Sequence, residues 1–155
     1  MNTTQTKNLD DYINQTAFSD ETKTSLKTIL PKIIPTREND INLDEADIKT
    51  ILGSGNVAFV GSSQYTGDDA PMYAIKSAIK NASFDYKSMG QITGVLMHFK
   101  IHPDASIAEL EKAINMIGRD ANEDASIIWG TKEDATISKN YAEATVLISA
   151  FNEKQ

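Results

Sequence analysis

From Val57 to Phe151, short apolar runs alternate with amphipathic stretches in the order β-α-β-α-β-β, and this order constrains the fold most. Val57-Ala58-Phe59-Val60-Gly61 reads as a short apolar strand, followed by a Ser-, Thr- and Gly-rich loop through Asp69. The next helix carries Pro71 in its first turn, where an N–H has no partner to lose, and sets Met72, Ile75 and Ile79 on one face. Ile92 to Ile101 is a mostly apolar strand ending at His102-Pro103. Ser106-Ile107-Ala108-Glu109 has the capping-box pattern and opens a helix with Ile107, Leu110, Ile114 and Ile117 inward, stopping at Gly118. Ala125 to Gly130 is the third strand, Glu133 to Asn140 a turn-rich link, and Ala142 to Phe151 the last strand. Two helices returning to one mixed sheet, both on one face, predict a two-layer α/β sandwich.

Upstream the pattern is weaker. Leu9, Tyr12 and Ile13 mark a short amphipathic turn or two. Ser19 or Asp20 can cap a helix whose apolar face is Leu26, Ile29, Leu30 and Ile33; Pro31 disturbs it and Pro35 stops it. Residues 1–35 therefore read as an N-terminal helical arm or leading helix, and 36–155 as the domain. Thr36 to Asp40 is a charged loop, and Asn42 to Leu52 a helix.

The chain has 155 residues, one domain's worth, and no cysteine, which removes disulfides, thiol nucleophiles and Cys-ligated zinc. A net charge of -7 repels phosphate backbones and anionic lipid, so nucleic acid is not an expected partner. Only Arg37 and Arg119 are arginines, which disfavours tight multi-point recognition of dianions by guanidinium forks. No apolar run reaches the roughly 20 residues that span a bilayer, and Met1 to Asp11 is too polar for a signal-peptide core, so a cytoplasmic location is expected.

Few residues offer chemistry. Gly53-Ser54-Gly55 and Gly61-Ser62-Ser63 lack the lysine and helix of a phosphate-binding loop and read as turns. His98 and His102, at even spacing on or just past one strand, with Asp104 nearby, are either ordinary strand histidines or two-thirds of a metal site lacking a third ligand. The expectation is no metal. Ser54, Ser62, Ser63 and Thr66 have no histidine nearby to activate them. Asp68 and Asp69 are expected to cap the helix after them, and Asp120, Glu123 and Asp124 to form a solvated turn. Asp44 and Asp47 have two readings. Asp44 is an N-cap with Asp47 favouring the positive helix end, or the two carboxylates converge to orient a water against a phosphoryl group.

Asn42-Leu43-Asp44-Glu45-Ala46-Asp47 resembles the N-x-D-x-x-D loop and helix start of FtsZ, the bacterial tubulin-like division GTPase. The blocks that follow resemble its C-terminal domain in order: Ile48 to Leu52, Val57 to Ser63, Gly94 to Ile101, Asp120 to Gly130 and Ala144 to Phe151. Leu26 to Ile34 resembles the end of that family's long central helix. The resemblance implies an FtsZ/tubulin C-terminal-domain-like fold. It also implies that Asp44 and Asp47 act in trans, positioning water at GTP held by the next subunit, with Asn42 contacting the nucleotide end of the interface.

The sequence contains no counterpart of the family's GGGTGTG phosphate loop, and Pro35 to Ile41 differs from the family's Pro-Gly-Leu-Ile run. The expectation is thus a stand-alone C-terminal-domain protein that is no autonomous GTPase and binds no cofactor alone, meeting GTP only through a partner subunit. Its expected partner is full-length FtsZ or itself, at the division ring, with no membrane-tether tail. The alternative is an FtsZ-fold module that self-associates or binds protein through the arm, without a GTPase role.

Overall fold

The computed structural model describes residues 3–33 and 45–151, with side chains from residue 9 onward. Four strands, β1 (Val57–Thr66), β2 (Ile92–Ile101), β3 (Ser126–Glu133) and β4 (Tyr141–Ala150), form one open sheet in the order β1-β4-β2-β3. β4 runs antiparallel to β1 and β2, whereas β2 and β3 are parallel. Parallel neighbours cannot be joined by a tight hairpin, so α5 (Ile107–Asp120) supplies the crossover between them, and α4 (Ala70–Asn81) connects β1 to β2.

The central strands β2 and β4 are covered on both faces, which is why they read as nearly continuous apolar runs. Side-chain alternation then divides them. Val95, Met97, Phe99, Ala144, Val146 and Ile148 pack under α4 and α5, forming the two-layer unit predicted from the element order. Leu96 and Leu147 point the other way. On α5, Ser106 Oγ accepts the Glu109 N–H at 3.2 Å, and Leu110, Ala113, Met116 and Ile117 are buried. Gly61 lets β1 pass close to α4: a Cβ there would lie 2.5 Å from the Ala78 carbonyl oxygen.

The second face of the sheet is closed by α1 (Thr3–Asn14), α2 (Asp20–Ile29) and α3 (Glu45–Leu52). Leu9, Ile13, Leu26, Leu30 and Ile33 join Ile48, Ile51 and Leu52 over Ala58, Leu96 and Leu147 in one cluster. Ser19 caps α2, its Oγ accepting the Thr22 N–H at 3.2 Å. Pro31 has no N–H to give to the turn before it, and the α-helix gives way at Leu30 to a 3-10 turn through Ile33. The arm therefore supplies part of the core.

Four local expectations are corrected. β1 runs through Thr66, because Ser62 to Thr66 pair with Tyr141 to Thr145; ladder hydrogen bonds outweigh polar composition on a half-exposed edge strand. Ile107 is 58% exposed and not inward, since it begins the helix before α5 settles on the sheet. Gly118 does not stop α5; its nearest outside atom, Ile127 Cδ1, lies 3.9 Å from an added Cβ, and the helix continues to Asp120. Asp69 stands at the N-cap of α4 but in a left-handed conformation (φ 55°) with no side-chain cap bond. Instead its N–H donates to Glu109 Oε2 at 3.1 Å and its carboxylate pairs with Lys112 at 3.1 Å, which draws Glu109 away from a reciprocal capping box. The boundary at 35/36 and the loop Thr36 to Asp40 lie outside the described residues.

Candidate functional site

Of the acid pair expected at the start of the helix after the arm, Asp47 lies on α3. Asn42 and Asp44 lie outside the described residues; Asp47, in the first turn of α3, is half-buried. Acidic side chains there are favoured by the exposed N–H groups at the helix start, and Glu45 shares the turn.

What fixes α3 is clear from its other faces. Ile48, Ile51 and Leu52 are buried against the arm and the sheet. Glu45 pairs with Lys49 at 2.5 Å, and the Lys49 ammonium sits 5.3 Å from the centroid of the Tyr12 ring on α1. At the far end, Gly53 N–H donates to the Lys49 carbonyl at 2.9 Å. Ser54 Oγ donates to the Ile51 carbonyl at 2.8 Å and lies 3.2 Å from Thr93 Oγ1, tying the helix to the start of β2. The contribution of Tyr12 was not legible in sequence, because nothing in a polar arm says which strand face it will meet.

The other candidates separate. His98 is buried on β2, facing the arm side, while His102 lies past the strand end with Nδ1 accepting the Asp104 N–H at 2.9 Å. Among the described residues no three His, Asp or Glu groups come together in a way that could hold a metal ion. Ser62, Ser63 and Thr66 are strand residues on β1, and Ser54 is engaged at the end of α3.

Asp120 accepts hydrogen bonds from Tyr86 Oη at 2.6 Å and from Arg119 Nε at 3.2 Å, whereas Glu123 and Asp124 are exposed. The bond from Tyr86, then that from Arg119, lowers the Asp120 carboxyl from its ordinary value. Burial, then the bond to Asp120, raises the Tyr86 hydroxyl. This trio joins the end of α5 to the 3-10 turn before β2 and performs a structural task. No helix among the described residues is long and apolar enough to cross a membrane.

Comparison with known proteins agrees with this architecture. Residues 56–152 match the family model described as FtsZ family, C-terminal domain. The chain is 38% identical over 92 residues to the cell division protein FtsZ of Rickettsia bellii, covering 59% of this chain and 20% of that protein. It is 27% identical over 114 residues to FtsZ of Helicobacter pylori, covering 74% of this chain and 30% of that one. The match thus spans about a fifth of the length of the Rickettsia relative. In structure it is similar to an empty FtsZ dimer from M. jannaschii, with TM-score 0.65 and 23% identity over 84% of this chain and 37% of that chain. A TubZ from Bacillus thuringiensis serovar israelensis, in GDP-form protofilaments, gives TM-score 0.59 and 13% identity over 82% of this chain and 35% of its own. These likenesses show a shared fold across the sheet and its crossover helices, and the family match covers most of the chain: it belongs to the FtsZ family of cell division proteins, through that family's C-terminal domain.

Proposed function

We propose that this chain presents Asp44 and Asp47, with Asn42, to the GTP site of a partner FtsZ subunit, capping filaments or changing the rate of GTP hydrolysis. The observation that carries the reading is the family match over residues 56–152, which follows, after three intervening residues, a helix whose first turn holds Asp47. In this reading GTP belongs to the partner's nucleotide pocket, and the two carboxylates orient the attacking water there. The protein acts in the cytoplasm, at the division ring.

Burial of the arm favours this over self-association through the arm. Of the stripe that self-association would use, Leu26, Leu30 and Ile33 are at most 2% exposed in this chain's own core, and Ile29 is half-buried. Co-sedimentation with GTP-assembled filaments of full-length FtsZ tests the docking. The wild-type chain is expected in the pellet, and Asp44→Ala with Asp47→Ala in the supernatant. Sedimentation of this chain alone, without FtsZ, would support the self-association reading instead.

A further inference from the structure

The sheet face that the arm covers also holds a groove of about 280 Å³ lined by Lys32, His98, Lys100, Lys132, Glu143 and Thr145, with Ile33 at its wall. The strand register explains the convergence. Lys100 on β2 stands directly opposite Lys132 on β3, and His98 stands opposite Thr145 on β4. Lys32 reaches the same groove from the 3-10 turn that ends the arm. Like charges directly opposite in a sheet are destabilising, so a protein of net charge -7 has gathered three ammonium groups where elementary electrostatics disfavours them.

Two carboxylates meet part of this charge, Glu143 in the lining and Asp134 beside Lys100, and leave Lys32 and Lys132. Asp134 engages Lys100 at 3.4 Å, and Glu143 is the Lys100 neighbour on β4, with the Tyr141 hydroxyl 3.5 Å from its Oε2. No salt bridge among the described residues engages Lys32 or Lys132. The floor is polar and firm: His98 is 5% exposed and Thr145 6%. The groove lies toward the carboxyl ends of the parallel pair β2 and β3.

We propose that this groove binds a small phosphate-class oxyanion, held by the ammoniums of Lys32 and Lys132 beside the Lys100–Asp134 pair and Glu143, with the His98 imidazole and the Thr145 hydroxyl at its floor. Ammonium groups are point charges without the paired fork of arginine, so binding is selective for charge density and modest in affinity. A bound anion removes the repulsion between Lys100 and Lys132 and links the arm to β3 through Lys32.

The test is isothermal titration calorimetry of the intact chain with inorganic phosphate, at ionic strength held constant with sodium chloride. Glycerol phosphate is titrated in parallel, and Lys132→Gln and Lys32→Gln are compared with wild type. Saturable phosphate binding, weakened about fivefold or more in each variant while the thermal midpoint without phosphate is kept or rises, is the expected result. Equal binding of glycerol phosphate identifies a phosphomonoester as the ligand, and its exclusion identifies free phosphate. Absence of saturable heat, or equal affinity in wild type and both variants, overturns the proposal. Two variants are used because the Lys32 side chain is itself exposed on the turn that ends the arm, so its loss removes no core packing.

Discussion

Replacing Ile13 with alanine tests whether the arm is core or appendage. Ile13 is 0% exposed and packs in the cluster with Ile48, Ile51, Leu52, Leu96 and Leu147. The substitution deletes three buried carbons, a transfer loss of about 2.4 kcal/mol at about 0.8 kcal/mol each. The cavity left between two helices and a sheet adds to this, which places the expected loss at about 3 kcal/mol, within the range for large-to-small core changes. That is a large share of a domain stability of about 5–15 kcal/mol. Urea unfolding followed by far-UV circular dichroism reads it as a lowered midpoint with the slope unchanged, because the whole chain still unfolds as one unit. A loss under about 0.5 kcal/mol would refute the reasoning, since that is the scale of a surface substitution. A separate early transition would refute it too, by showing that the arm melts independently of the sheet.

Three further outcomes are expected. Gly61→Val forces a Cβ to within 2.5 Å of the Ala78 carbonyl and 2.6 Å of the Ala82 nitrogen, both backbone atoms of the α4 end. It should cost about 3 kcal/mol or prevent folding, whereas Gly90→Ala, with nothing within 4 Å, should be nearly neutral by the same urea assay. Ser106→Ala removes the oxygen that accepts the Glu109 N–H and should lower stability by about 1 kcal/mol in thermal unfolding. Asp134 is held down to about 2, chiefly by the Thr136 hydroxyl, then by the Thr136 N–H and the Lys100 ammonium. A depressed folded value means its contribution is full above the unfolded carboxylate range and fades as pH falls through about 2. A carboxyl-detected NMR titration should place its midpoint there, and Thr136→Ala should raise it toward the ordinary value of about 3.9.

The sheet and its two crossover helices were legible because period-two and helical patterns there coincide with burial, as in Val95, Met97 and Phe99 of β2 and Ala74 and Ile75 of α4. The second half of β1 was not, because Ser62 to Thr66 are held by pairing with β4 and sequence pattern does not encode a long-range partner. Ile107 misled for a related reason. Its spacing fits the α5 stripe, but a first-turn residue projects beyond the sheet that the later turns cover. Asp69 has the composition of a cap, yet Lys112 and Glu109, some forty residues away, set its conformation and partners. The arm showed its apolar residues but not its destination, which depends on a sheet face assembled from β1, β2 and β4. The lysine groove is the clearest case: Lys100 and Lys132 meet through strand register, and Lys32 joins them from the turn that ends the arm.

The central claim, that the acid loop works on a partner's nucleotide, is tested most directly by phosphate release from GTP. Full-length FtsZ from the same organism is titrated with this chain, with Asp44→Ala and with Asp47→Ala. The account predicts a dose-dependent change in turnover with the wild-type chain. Where the change is a stimulation, either substitution should remove it by about a hundredfold or more, the scale of a positioned acid–base group. Stimulation that survives intact in both variants, or turnover that does not respond to the wild-type chain at all, would contradict it.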